Sequence, residues 1–336
     1  MTSVPITATA SGKLHHLDAS IRHFVWDNSI PPRIEIDSGD TVVFECKDAG
    51  DGYYHWDSTV EDMMARAEAI RLERESLGPG KAARGHALTG PVKVRGAKPG
   101  DVLQVEILDL VPGELGYTSF RPGVGLLQDD FPDPYLHIWD LRNGQYGELK
   151  PGIRVPFEPF LGVMGTALDE AGEHGTGPPR KNGGNADVKQ LTKGTTLYLP
   201  IWVDGALFSC GDGHAAQGDG EVCISAIETS MTATLRFTLR SDFKLEEPEF
   251  QTGGPLSPRT NIGPYYATMG ISPDLMEGTK KAVRRMLDYL QREHGLTREE
   301  AYVLSSVALD LKISEIVDAP NWVVSAFMPL SVFGHE

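Results

Sequence analysis

Phe208-Ser-Cys-Gly-Asp-Gly-His-Ala-Ala-Gln-Gly-Asp-Gly-Glu-Val-Cys223 sets Asp212, Asp219, Glu221, one imidazole (His214) and one amide (Gln217) on a glycine-softened backbone. Glycine lets a chain turn through positive φ or approach another group closely, so Gly211 to Glu221 reads as a shaped loop carrying polar groups. Apolar runs bracket it: Thr196-Leu-Tyr-Leu-Pro-Ile-Trp-Val203 and Ala206-Leu-Phe208 before, Val222-Cys-Ile-Ser-Ala-Ile227 after. A strand, a functional loop and a second strand is the simplest arrangement. Beyond it, Met231-Thr-Ala-Thr-Leu-Arg-Phe-Thr-Leu239 alternates cleanly, with Met231, Ala233, Leu235, Phe237 and Leu239 on one side.

Upstream the pattern stays β-type. Ile21–Trp26, Arg33–Asp37 and Thr41–Cys46 are separated by Pro31-Pro32 and Ser38-Gly-Asp40, and connections this short imply antiparallel neighbours. Ser58-Thr-Val-Glu61 is a capping-box pattern, and Met63, Ala67 and Ile70 recur near helical spacing, predicting an exposed helix to about Ser76. Pro91–Arg95 and Val102–Leu110 return to strands, and residues 112–185, rich in Gly and Pro, read as long loops wrapped over a sheet. Near the end, Ser272-Pro-Asp274 opens one amphipathic helix that stops at Gly295, and Thr297-Arg-Glu-Glu300 caps a second. The expected fold is mainly β, with antiparallel sandwich-like sheets and C-terminal helices, α+β as a whole. Residues 1–250 would form a β-rich core with a helical insertion near 58–76, and 251–336 a helical segment packed on it, as one compact unit.

Lys plus Arg number 31 against 47 Asp plus Glu, a net charge of −16, which argues against nucleic acid or an anionic membrane as partner. No stretch approaches the roughly 20 apolar residues of a spanning helix, and Met1–Ala10 lacks the layout of a secretory signal, so the chain is expected in the cytoplasm. Three cysteines, Cys46, Cys210 and Cys223, are odd in number and form no C-x-x-C pair, against a disulfide framework or a thiolate zinc site. No P-loop, G-x-S-x-G elbow or dinucleotide fingerprint occurs.

What remains is a hydrolytic reading. A divalent cation held by oxygen and imidazole ligands lowers the pKa of water and polarises a carbonyl, while a carboxylate moves the proton. Asp212 and His214 lie two residues apart, on one face of an extended backbone, and so do Asp219 and Glu221. The bland alternative is a solvated turn, which Gly-Asp-Gly commonly makes. Asn182-Gly-Gly-Asn-Ala-Asp187 is a second loop, equally readable as a tight turn; Asp187 would complete a metal site and Asn185 would bind a substrate carbonyl or amide. Asp57 is a further carboxylate, competing with a helix-capping role, and His86 a lone histidine before a strand. A thiol route would use Cys210, which borders the loop, rather than Cys223 inside an apolar run.

These motifs together resemble the acetamidase/formamidase family. The resemblance rests on Gly165, Pro178-Pro-Arg180, Asn182-Gly-Gly-Asn185 with Asp187 and Lys189, Gly211 to Cys223, and Ala226-Ile-Glu228. It extends to Leu88–Pro91, Pro99–Asp101, Tyr265–Thr268 and Asp318–Trp322, nearly the whole chain. It implies hydrolysis of a short aliphatic amide to carboxylate and ammonia, on a mainly β fold that forms oligomers, in a family with members thought to hold metal ions. Ala186 and Gly175 depart from the family pattern, and the charged stretch from about Met64 to Arg84 stands as an insertion that would cover the pocket mouth or make an oligomer contact. The expected site places a divalent cation, zinc first and calcium second, on Asp187, Asp212, His214 and Asp57. Glu221 and Asp219 are the catalytic carboxylates, and Asn185, Gln217 and His86 orient a small neutral amide; the chain is expected to form a dimer or larger homo-oligomer. A cysteine-dependent amidase and a non-catalytic small-amide binding protein are the alternatives.

Overall fold

The computed structural model describes residues 12–256, 259 and 263–334; the reading of Met1–Ala10 lies outside them. Its principal strands are β1 (Thr41–Cys46), β2 (Leu88–Val94), β3 (Val102–Phe120), β4 (Phe160–Gly165), β5 (Gly183–Asn185), β6 (Thr196–Pro200), β7 (Phe208–His214) and β8 (Glu228–Arg240). The C-terminal strands are β9 (Tyr265–Ser272), β10 (Asp310–Glu315) and β11 (Trp322–Pro329); the helices are α1 (Val60–Ser76), α2 (Leu275–His294) and α3 (Arg298–Ala308). The class expected from the sequence, mainly β with α+β character, is the class observed.

Strand β8 is the spine. It runs antiparallel to β3 along nearly its whole length and to β1 on the other side, and its start pairs with the end of β7. The alternation seen in the sequence is the reason: Ala233, Leu235 and Phe237 are fully buried and Met231 is 2% exposed, while Thr232, Thr234 and Arg236 face outward. The Phe237 ring meets those of Phe208 and Phe44 at 5.0 and 6.1 Å, edge to face, which fixes β8, β7 and β1 on one core. In chain-crossing order the large sheet reads β5-β4-β7-β8-β3-β6, so the two polar stretches of the sequence, 182–187 and 211–221, are brought to the strands on either side of β4.

Several local expectations are corrected. The opening runs do not form an antiparallel meander: Leu14–Leu17 pairs parallel with β1, and Arg22–His23 (antiparallel) and Ile34–Ile36 (parallel) both pair with β2. A short turn fixes only a change of direction, and each run then joins the partner that buries its apolar face. Residues 112–185 are not mainly loop, since β3 runs on to Phe120 and five short strands follow it before β5. Val222–Ile227 is irregular rather than a strand, because its backbone groups bond to α3 side chains at Val222, Cys223 and Ser225 and to scattered partners elsewhere instead of to a sheet. The cap of α1 is Thr59 with Asp62, one residue beyond the expected box, and the N-cap of α2 is Asp274, because Ser272 still belongs to β9. The Thr297–Glu300 box and the left-handed Gly295 stop, φ 63°, are as read from the sequence.

The C-terminal part adds a three-stranded antiparallel sheet, β9-β11-β10, with α2 and α3 against it. No helix among the described residues is long and apolar enough to cross a membrane. The Phe237→Ala variant is expected to lose about 3–5 kcal/mol, the range for emptying a fully buried aromatic site, read as a lowered urea midpoint at unchanged slope.

Candidate active site

Asp212 and His214 stand at the end of β7, Asp187 just past β5, Glu228 at the first residue of β8, and Gln217 and Glu221 in the loop between β7 and β8. Asp187 reaches this point because β5 lies on β4, where the Gly162 carbonyl accepts the backbone N–H groups of both Ala186 and Asp187. Three of these acids are held in left-handed backbone: Asp187 at φ 49°, Asp212 at 60° and Glu221 at 43°. Such conformations cost of order 1–3 kcal/mol each for non-glycine residues and persist only where the surroundings enforce them. The extended-backbone argument for Asp212 and His214 therefore reaches the right pairing through a different geometry. Asp212 turns out of the regular strand, yet its Oδ1 still lies 3.4 Å from His214 Nε2.

His214 is the centre. Its Nδ1 donates to Gln217 Oε1 at 3.1 Å, and Gln217 Nε2 in turn donates to the Asp187 carbonyl at 2.9 Å, an order that fixes the amide and hence the tautomer. The Phe160 ring abuts the imidazole edge to face at 4.9 Å. Nε2 is thereby left facing carboxylates, 3.1 Å from Glu228 Oε2 as well as close to Asp212. These contacts lack the direction of a hydrogen bond, and Nε2, Glu228 Oε2, Asp212 Oδ1, Asp187 Oδ1 and Asn185 Oδ1 are all buried without a partner. Buried polar atoms in native proteins are nearly always satisfied, so this many orphans in one place mark a binding site.

The charges respond to their burial. Asp187 and Glu228 are each pushed up to about 7, chiefly by loss of water and then by their acidic neighbours, against the pull of His214. Burial acts in the same direction on Glu221, which lies well above the usual carboxylate range with Asp187 and Glu228 adding to the effect. Asp212 goes the other way: burial raises it, but the charges of His214 and His86 outweigh that and hold it below the usual range. Burial also opposes charge on His214, and Glu228 and Asp212 overcome it, raising the imidazole well above its ordinary value.

Among the described residues two sets of side chains could hold a cation, Asp187 with Asp212 and His214, and His214 with Glu221 and Glu228, the donor atoms of each set lying within 4.8 Å of one another. The floor is Gly162, where a Cβ would come within 2.5 Å of Asp187 Oδ1 and 2.8 Å of both Asp212 Oδ2 and His214 Cε1. Only glycine leaves that space open. The donors, carboxylate oxygens and an imidazole Nε2 that faces inward and ligates once its proton is displaced, fit a divalent cation.

The remaining expected residues divide. His86 is near, its Nε2 3.9 Å from Asp212 Oδ2 and its Nδ1 3.0 Å from the Thr176 hydroxyl. Asn185 has a buried carbonyl oxygen without a partner. Asp57 is exposed in the segment before α1 and belongs to neither cation set. Asp219 is turned away: its carboxylate takes the Gln190 amide at 3.0 Å and its backbone N–H donates to Asp310, which is ion-paired with the buried Lys189. Cys210 and Cys223 are fully buried, and burial pushes Cys223 up to about 12 and Cys210 well above the ordinary thiol range, so neither forms a thiolate readily. Sequence reasoning gave no role to Glu228 or Gly162. Glu228 was visible only inside the Ala226-Ile-Glu motif, at the head of the alternating strand.

Helix α3 secures the loop that carries Glu221. The Ser306 hydroxyl accepts the Cys223 N–H and donates to the Ser225 carbonyl, Tyr302 bonds the Val222 carbonyl, and the Gly218 N–H donates to the Ser306 carbonyl at 2.8 Å. Gly218 sits so close that a Cβ would meet the Leu309 carbonyl oxygen at 2.1 Å.

The family model of the acetamidase/formamidase family matches residues 11–171 and 168–335. A formamidase from Methylophilus methylotrophus is 28% identical over 93% of this chain and 89% of its own length. Among solved structures, an acetamidase from Bacillus halodurans is 31% identical, covering 95% of this chain and 98% of that one, with a TM-score of 0.62. A gamma lactamase from Delftia acidovorans, 24% identical, shares the fold over 99% of this chain and 93% of its own at a TM-score of 0.82.

The raised carboxyl of Asp187 gives a signed expectation. A carboxyl near 7 in the folded chain and near 4 in the unfolded one contributes stability below the unfolded value that is lost as pH rises through 7. In chelator, the melting temperature of Asp187→Asn relative to wild type should therefore climb between about pH 4 and pH 7. A gap that stays flat or shrinks in differential scanning calorimetry would contradict the assignment.

Proposed function

The chain belongs to the acetamidase/formamidase family and is an amidase, and on that premise we propose that it cleaves a short aliphatic primary amide to carboxylate and ammonia at the cluster around His214. The observation that carries this reading is the convergence of buried, partnerless donor atoms of Asp187, Asp212, His214 and Glu228 above a glycine floor. Asp187, Asp212 and His214 would hold a divalent cation, zinc before calcium because an imidazole is among the donors. When bound, such a cation supplies Lewis acidity that polarises a carbonyl and lowers the pKa of water. Asp57 drops out of the ligand set because it is exposed.

The chain's own groups account for the proton. Glu221, kept above the usual carboxylate range by burial, accepts a proton from the attacking water as the new C–O bond forms. It returns that proton to the amide nitrogen as the C–N bond breaks, so that one water and one amide give the carboxylic acid and ammonia. Gln217 holds the imidazole in one tautomer and one orientation, and His86, braced by Thr176, faces the site to align the amide with Asn185. Asp219 serves the loop rather than the proton, since it is engaged with Gln190. A binding protein for small amides on this scaffold would have no use for a raised carboxyl in a strained backbone position beside the cluster.

Chelation is expected to abolish ammonia release from formamide, acetamide and propionamide, and zinc to restore it; full activity in metal-free protein would remove the cation from the scheme. Glu221→Gln should lower kcat by about 10²–10⁴-fold, the range for a general acid–base, in protein whose cation content by elemental analysis is unchanged. Cys210→Ala should retain turnover, and a loss of rate at intact cation content would favour the thiol route.

A further inference from the structure

The cavity that reaches Glu228 and His86 holds about 800 Å³. Pockets for drug-sized ligands span about 300–1,000 Å³, so a molecule the size of acetamide leaves most of this space empty. Helix α1 forms part of the wall, and the lining carries Arg66, Arg74, Arg84 and Arg121 against only two carboxylates, Glu73 and Glu228. Arg84 is ion-paired with Asp51, and Glu73 is engaged by the Arg84 backbone N–H. The other three guanidinium groups have no ion pair with any described residue. In a chain of net charge −16, this cavity is a local reversal of sign.

The arginines are joined to the site by rings. Tyr117 is the register partner of Glu228, Tyr54 lies 4.1 Å from Tyr117, Tyr53 meets Tyr54 at 5.4 Å, and the Arg66 guanidinium covers Tyr53 at 4.8 Å. Arg66 and Arg121 line the cavity together with Tyr54; burial pushes the Tyr54 hydroxyl up to about 12, the charges of both arginines oppose that rise, and Asp48 adds to it. The aromatic run is thus an apolar track that begins beside Glu228 and ends at unneutralised positive charge.

We propose that the preferred substrate is a primary amide carrying a carboxylate at its other end, the amide at the His214 cluster, the methylene chain along Tyr117, Tyr54 and Tyr53, and the anion on Arg66 and Arg121. The inference rests on the amide-hydrolysis reading and narrows its substrate class. Guanidinium recognises carboxylate through paired, charge-assisted hydrogen bonds, and neutral short amides lack the group that would use them.

The test measures kcat/KM by ammonia release for a series of ω-carboxylated primary amides of increasing chain length, each against the neutral amide of equal length. At the best-fitting length the carboxylated amide is expected to be at least tenfold better, and that ratio should fall close to one in both Arg66→Gln and Arg121→Gln. The ratio is taken within one preparation, so a partly folded variant does not distort it. Turnover of neutral amides with no carboxylate preference at any length overturns the inference and leaves the amidase reading standing. A preference that survives in both variants overturns the assignment to these arginines. Absence of ammonia from every amide of both series sinks the amide-hydrolysis reading itself, and this inference with it.

Discussion

Four carboxylates, those of Asp187, Asp212, Glu221 and Glu228, are confined around one imidazole in a place with little water. Like charges at such distances repel by several kcal/mol at the effective dielectric of a protein interior, so the arrangement is not one that folding would find for its own sake. The chain holds it by over-determination. Backbone that would relax out of left-handed geometry is clamped, at Asp187 by the Gly162 carbonyl and at Glu221 by a loop pinned to α3. The imidazole cannot rotate away from the carboxylates because Gln217 fixes its far nitrogen and Phe160 its edge. Whatever neutralises the cluster, proton or cation, is gathered by this framework rather than creating it.

The β core was legible in the sequence because its signal is periodic. The Met231–Leu239 alternation survives any choice of partner, since a strand buried on one face must place its apolar residues two apart. Partners are another matter. Ile34–Ile36 and Arg22–His23 read alike, yet one runs parallel to β2 and the other antiparallel, and nothing within a three-residue run encodes which. The extent of β3 past Leu110 was hidden for a related reason: Pro112 and Gly113 look like a turn, but the strand continues through them opposite Met231 and Ser230.

The site was legible where residue type and chemistry coincide and opaque where position alone decides. Asp187, Asp212 and His214 belong to two polar stretches that differ in sequence by some twenty-five residues, a separation that β4 closes by pairing with β5 on one side and β7 on the other. Asp219 and Glu221 look equivalent in the sequence, two residues apart in one glycine-rich loop. The left-handed turn at Glu221 and the hydrogen bond from Gln190 send them to opposite sides. Gly162 carries no side chain to advertise itself, and its importance is the volume it does not occupy.

The cluster also lies on a seam. Phe208, Cys210 and Met231 belong to the apolar core of the large sheet, whereas Ala215, Ala216, Val222 and Ile227 belong to a second core built with α2, α3 and β11. The chain passes from one core to the other within the few residues that carry Asp212, His214 and Gln217. That passage explains why C-terminal helices contribute hydroxyls and backbone groups to a loop whose chemistry lies on the sheet side. Each core supplies what the other cannot: the sheet gives His214 a rigid strand end, and the helical layer gives Glu221 a strained but fixed loop. A site assembled from one core alone would need either a charged group inside a strand interior or a loop with nothing to hold it, and burial of the carboxylates depends on the two surfaces closing against each other.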